Sequence, residues 1–179
     1  MTAWPAPVIL PDEVASCKRG KLLNYKHGLV LNWLEEERVC LFWRKTWWEA
    51  KIHDVHPLMW WDERLKRYCM PDRHEARTDL GSTPVWMQGI FPATEMPWAY
   101  YPHDSGYRWG GMWTAVTLDG EWTFTRMSRQ TIDEMCLLAM PEAGGMSAIK
   151  RGTIYESVRL AGWACFKPKP PMPVDVKKG

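Results

Sequence analysis

Apolar and polar positions alternate with a period of two along several short stretches of this chain. In Trp47–Val55, residues Trp48, Ala50 and Ile52 alternate with Glu49, Lys51 and His53, the pattern of a half-buried strand. The run Val39–Trp43 precedes it across Arg44-Lys45-Thr46, and that polar spacer predicts a hairpin turn. Upstream, LLNYKHGLVLNW is compatible with two strands around Lys26-His27-Gly28, and Glu35-Glu36-Glu37 reads as a solvated turn or helix end. Downstream, Met112–Leu118 and Glu121–Met127 predict a second hairpin around Asp119-Gly120.

Helical spacing is rarer. Leu58–Tyr68 predicts a short helix with Trp61, Leu65 and Tyr68 on one face and Asp62 and Glu63 ahead of Arg64, Lys66 and Arg67. Ser128 predicts an N-cap for a helix from Arg129 to about Ala139, whose apolar stripe is Ile132, Met135, Cys136 and Ala139, with Pro141 and Gly144-Gly145 ending it. Thr153–Phe166 fits either a helix or a strand. From Met70 to Gly111 the chain reads as loop, punctuated by Pro71, Pro84, Pro92, Pro97 and Pro102.

These elements predict an α+β fold of short antiparallel strands and hairpins, two or three short helices and long Pro/Trp-rich loops. Residues 1–16 read as an extended N-terminal arm, 17–166 as one globular domain and 167–179 as a Pro/Lys-rich tail. Within the domain, 39–68 forms a candidate small-barrel hairpin plus helix, and 112–140 a hairpin plus helix.

Composition changes this picture in one respect. Of 179 residues 13 are Trp, more than one core of this size readily encloses with every indole N–H partnered. Some rings are therefore expected at protein interfaces, which favour Trp, Tyr and Met. The loop-like aromatics Trp86, Phe91, Trp98, Tyr100, Tyr101 and Trp109, with Trp4 and Phe166 from the arms, are the candidate partner-binding anchors. The net charge of +2 argues against a protein devoted to coating nucleic acid or an anionic membrane. Uncharged runs fall short of a membrane-spanning helix, although Trp-rich surface leaves peripheral membrane contact open. The N-terminus lacks a basic region, so secretion is not expected. Five scattered cysteines suggest reduced thiols in an intracellular compartment such as cytoplasm, organelle matrix or virion.

The sequence W-W-E-A-K-I at Trp47–Ile52, preceded by a strand and a basic turn, resembles the central hairpin of Tudor-like and other SH3-like small barrels over residues 39–55. Some of those barrels read methylated side chains through an aromatic cage. The resemblance implies a candidate aromatic site of Trp43, Trp47, Trp48, Trp60 and Trp61 with Asp62 as an acidic rim. The same aromatics, interleaved with cations, also suit single-stranded nucleic acid.

Catalytic signals are sparse. The chain has no phosphate-binding glycine loop, G-x-S-x-G or H-E-x-x-H. Cys69 with His74 or His103 is a candidate cysteine/histidine pair. His103-Asp104 and His53-Asp54 lie in polar stretches that predict solvated imidazoles, and Asp62-Glu63 and Asp133-Glu134 read as charges placed near helix starts. Cys40, His53, His56, Cys69 and His74 are weak candidate metal ligands without a CxxC knuckle, and no cofactor is expected. The leading expectation is a non-catalytic, Trp-rich accessory subunit that binds other proteins in a larger assembly, an organellar or respiratory complex or a virion. A Tudor-like or nucleic-acid module is the alternative, and a cysteine/histidine enzyme the third.

Overall fold

The computed structural model describes residues 20–24, 28–40, 43–54, 56–74, 76–80, 97–144 and 147–165. The fold is α+β: among the described residues there are eight mostly short antiparallel strands in two sheets, and three helices. In chain order these are β1 (Gly20–Leu23), β2 (Leu29–Cys40), β3 (Trp43–Ile52), β4 (Met59–Asp62), β5 (Arg67–Met70) and β6 (Ala76–Thr78), then α1 (Pro97–Trp109), β7 (Gly111–Ala115), β8 (Thr123–Arg126), α2 (Arg129–Gly144) and α3 (Ala148–Cys165). One sheet has the order β1-β4-β5-β7-β8, the other β2-β3-β6.

The five-stranded sheet is apolar on both faces. Leu22, Trp60, Cys69 and Met112 belong to the main core with Tyr101 and Tyr107 of α1, Ile132, Met135 and Met140 of α2, and Ile154 of α3. Their immediate neighbours along the strands, Leu23, Met59, Tyr68 and Met70, form a second cluster with Trp61, Trp113, Leu118 and Trp122. Successive side chains of a strand point to opposite faces, so a strand buried on both sides shows an unbroken apolar run. The three-stranded sheet feeds Leu29, Ala50 and Ile52 into the main core. Gly28 helps join the sheets, its carbonyl accepting from His53 N and Leu58 N, each at 3.0 Å.

Several elements differ from the sequence expectation. Leu58–Tyr68 contains no helix but the β4–β5 hairpin, with Trp60 opposite Cys69 and Trp61 opposite Tyr68. Buried Asp62 closes its turn by accepting from Arg64 N at 2.9 Å and Leu65 N at 3.1 Å, and Lys66 takes φ 51°. A short acceptor side chain that satisfies two amides ahead of it competes effectively with a helix. Arg44, Lys45 and Thr46 do not form the turn of the first hairpin: they lie within β3, opposite Arg38, Glu37 and Glu36. Glu35–Glu37 are solvated, but inside β2. The two strands expected around residues 26–28 exist as β1 and β2, but in different sheets.

The stretch from Met70 to Gly111 is not all loop, since it contains β6 and α1. Pro97 opens α1, where a missing N–H costs nothing, and Pro102 is accommodated farther in. The second hairpin is confirmed, but its strands stop at Ala115 and Thr123 rather than at a two-residue turn. Leu118 and Trp122 pack on the second cluster instead of extending the ladder, and Trp122 Nε1 donates to Leu118 O at 3.4 Å. Ser128 caps α2 as expected, with Thr131 N donating to its Oγ at 3.1 Å, and the stripe Ile132, Met135, Cys136 and Ala139 is buried. The helix runs through Pro141 to Gly144. The last segment is helical. The N-terminal arm and the tail lie outside the described residues.

Candidate functional site

Among the described residues, the longest strands carry the longest exposed run. β2 and β3 pair antiparallel from Leu29–Ile52 to Cys40–Trp43, while β6 reaches only Trp48–Ala50 of β3. Beyond β6, five residues of β3 continue in a two-stranded ribbon about 16 Å long at ~3.3 Å per residue. Asn32 to Arg38 are all exposed, and the outer edge of β2 has no strand partner among the described residues. Trp33, paired with Trp48, is 60% exposed, and its neighbour Leu34 is 39% exposed.

A polar strap stiffens the base of this ribbon. Arg77 of β6 lies 4.3 Å from the Trp47 ring centroid and donates to Glu35 Oε1 at 2.5 Å. Trp47 Nε1 donates to Glu37 Oε2 at 2.7 Å. Side chains from three strands are thereby tied on one face, with a cation over an indole adding to the ion pair. The register slips between Trp33 and Glu35 and again between Arg38 and Cys40, leaving Leu34 and Val39 as extra residues. Such bulges twist an edge and hinder its pairing with other strands.

Among the described residues, three buried carboxylates organise the rest of the fold. Asp133 of α2 is wholly buried. Its Oδ1 lies 3.0 Å from His103 Nε2 and accepts from Tyr107 OH at 2.5 Å, while its Oδ2 accepts from Arg159 Nη1 at 3.1 Å. One carboxylate thus ties α1, α2 and α3. Burial opposes its ionisation, but hydrogen bonds from His103, Tyr107 and Arg159 outweigh that and hold its pKa below the usual value. Burial equally opposes charging of His103, and the carboxylates of Asp104 and Asp133 overcome it, raising the imidazole's pKa. Desolvation and the Asp133 carboxylate push the Tyr107 phenol up. Asp62, also fully buried, accepts from Trp60 Nε1 and pairs with Arg64, which bridges to Glu134 of α2. Asp72 accepts from Trp113 Nε1 at 3.1 Å and faces His74 Nδ1 at 2.6 Å, and its own N–H donates to Ser105 Oγ.

These placements revise the candidate residues. Tyr100 and Tyr101 are core side chains at 5% and 1% exposure, Trp98 packs against that core, and Trp109 is half-buried. Helical winding of α1 turns both tyrosines inward, so neither is an exposed anchor. Trp4, Trp86, Phe91 and Phe166 lie outside the described residues. In the candidate cage, Trp60 is buried in the main core, Trp61 packs on the opposite face of the same sheet, and Trp47 and Trp48 belong to the other sheet. Asp62 is a turn-closing group rather than a rim. Cys40 and Trp43 are paired at the end of the ribbon.

The metal and thiol candidates are dispersed too. His53 and His56 stack with centroids 5.8 Å apart, and His56 N donates to His53 Nδ1. Cys69 lies in the core of the other sheet, and among the described residues no three potential ligands gather to hold an ion. Burial pushes the Cys69 thiol up to about 12 and the Cys136 thiol higher still, so neither forms the thiolate that nucleophilic chemistry needs. His103 and Asp133 are not solvated, and nothing in their local sequence polarity signals it. The four-residue spacing of His103 and Tyr107 was the available sign, since it places both on one helix face.

Compared with protein-family models, curated proteins and solved structures, the chain matches none. Among the described residues no helix is long and apolar enough to cross a membrane.

Proposed function

We propose that this chain is a non-catalytic, Trp-rich accessory subunit that binds other proteins within a larger intracellular assembly, an organellar or respiratory complex or a virion. The observation that supports this reading is the β2–β3 ribbon, strapped at its base, without a strand partner along the outer edge of β2 among the described residues, and carrying Trp33 at 60% exposure. An isolated two-stranded ribbon is marginal in water, so its distal part has most to gain from a partner. Trp is also the residue that most often dominates a protein interface. The polar clusters at Asp62 and Asp133 support the same reading, because they hold turns and helices together and their thiol neighbours are inert.

Native mass measurement of the chain isolated from its own source tests the reading. The expected species contains other polypeptides and is lost with Trp33→Ser. Recovery of the chain alone, with no other polypeptide under mild conditions, overturns it.

A further inference from the structure

The loop joining β7 to β8 runs from Val116 to Trp122. Gly120 N donates to Thr117 O at 3.2 Å, which closes a turn with Asp119 inside it. Val116, Thr117, Asp119 and Glu121 are exposed, and the Asp119 carboxylate has no hydrogen bond or ion pair among the described residues. Leu118 and Trp122 instead lie half-buried on the second cluster beside Trp61 and Trp113. Trp122 Nε1 donates to Leu118 O at 3.4 Å, so this contact brackets the Asp119–Gly120 bond.

The carboxyl carbon of an Asp and the backbone nitrogen of the next residue can close a succinimide ring. A side chain on the next residue obstructs that closure, whereas Gly has none and admits the backbone torsions it needs. Asp119-Gly120 is the only Asp-Gly or Asn-Gly step in the chain. Among the described residues the other Asp or Asn with a small successor is Asp104, ahead of Ser105. There α1 engages the Ser105 N–H in helical hydrogen bonding, Ser105 is buried, and Asp104 Oδ2 accepts from Thr78 Oγ1 at 2.6 Å. The two steps share a chemistry and differ in confinement.

We propose that Asp119-Gly120 is a self-modification site, where Asp119 converts to isoaspartate and thereby releases Leu118 and Trp122 from the second cluster. Gly120 N bonds to Asp119 Cγ as its proton passes to solvent base, and the hydroxyl of the protonated carboxyl leaves as water. Water then adds to the main-chain carbonyl carbon of Asp119, and the bond from that carbon to Gly120 N breaks. The chain now runs through Cγ and carries a free α-carboxylate. The water lost on closure is regained on opening, so composition and charge are unchanged while the main chain gains a methylene. That added carbon lies between Leu118 and Trp122. Their contact at 3.4 Å is already beyond the usual N–H···O range, and a longer connection opens it.

Prolonged incubation of the full chain at neutral pH and physiological temperature tests it, with peptide mapping around Asp119 and Asp104. Isoaspartate at position 119 is read as lost cleavage by an endoproteinase that cuts before Asp, and as gained isoaspartate-specific carboxyl methylation. It is expected to exceed that at Asp104 at least about tenfold, because α1 must open locally before Ser105 N can react. Asp119→Glu keeps the charge but cannot close the same ring, and is expected to block the change. Asp119→Asn is expected to reach the same product sooner, since ammonia then leaves in place of the hydroxyl. The separated isoaspartate form is expected to show tryptophan emission at longer wavelength, as Trp122 meets water. No isoaspartate at position 119, equal amounts at 119 and 104 in the native chain, or its persistence in Asp119→Glu overturns the proposal. Emission identical to that of the starting chain overturns the release of Leu118 and Trp122.

Discussion

Asp133 Oδ1 lies 3.0 Å from His103 Nε2, joining two helices across 30 positions of sequence inside the core. Because Tyr107 and Arg159 donate to the same carboxylate, the group is satisfied by three partners and its loss weakens an acceptor for each. Asp133→Asn is expected to lower the free energy of unfolding by about 2–4 kcal/mol. Urea denaturation checks this as a lower midpoint with an unchanged slope. A midpoint within error of wild type contradicts it.

The same pair sets a pH dependence. The pKa of Asp133 is lowered by folding, so its stabilisation is present above the unfolded carboxylate value near 3.9 and is lost as pH falls through the lower folded value. The pKa of His103 is raised, so its stabilisation is complete below the unfolded value near 6.5 and is lost as pH rises through the higher folded value. The groups facing His103 are Asp104, Asp133 and Tyr107. The urea midpoint is expected to be highest between about pH 4 and 6.5 and to decline above it. In His103→Gln the alkaline decline contributed by this group is expected to vanish. A His103→Gln profile parallel to wild type above pH 6.5 contradicts the assignment.

Gly111 begins β7 where the neighbouring strand leaves no room. A Cβ there would lie 2.1 Å from Thr125 O and 3.0 Å from Arg126 Cα. Both atoms belong to backbone and cannot swing away, so Gly111→Ala is expected to cost about 1–3 kcal/mol. Chemical denaturation measures it. A neutral effect implies that β7 and β8 pair less closely.

How much of this was legible beforehand depended on how many faces an element buries. The capped α2 helix and the Trp48–Ile52 strand each bury one face, and their periodicity was plain. β4 and β5 bury both faces, so Leu58–Tyr68 presented a nearly continuous apolar run broken by charges, which resembles a short helix. Its true turn depends on the Asp62 carboxylate accepting amides two and three residues on. Pro102 and Gly106 obscure the helical pattern of α1 in the sequence, and with it the inward placement of its tyrosines. Trp33 stands beside an acidic run whose local pattern is that of a turn or helix end, so nothing in the sequence signals its exposure in a strand. The Asp133 cluster needs three helices packed together, and the four-residue spacing of His103 and Tyr107 encodes only their shared helix face.

Thiol reactivity separates the folded core from any cysteine chemistry. Cys69 and Cys136 are buried, and desolvation raises both thiols. Neither is expected to be alkylated by iodoacetamide at pH 8 in the native chain, while both react after denaturation. Rapid native labelling of Cys69, read by peptide mass mapping, contradicts the burial.

Trp33 and Trp60 give opposite expectations for the same residue type. Trp60→Ala removes a ring that is 3% exposed and should cost about 3–5 kcal/mol. Trp33→Ser removes one that is 60% exposed and should change stability by no more than about 0.5 kcal/mol. Thermal and urea unfolding of the two variants side by side check the contrast. A large loss with Trp33→Ser makes the ring a packing residue.

Amide hydrogen exchange across Asn32–Arg38, compared between the isolated chain and the assembly from its native source, tests the docking role of the ribbon most directly. The exposure of Asn32–Arg38 predicts fast exchange in the isolated chain and protection of this segment on assembly. Exchange in the assembly as fast as in the isolated chain, with protection appearing only elsewhere, contradicts that role.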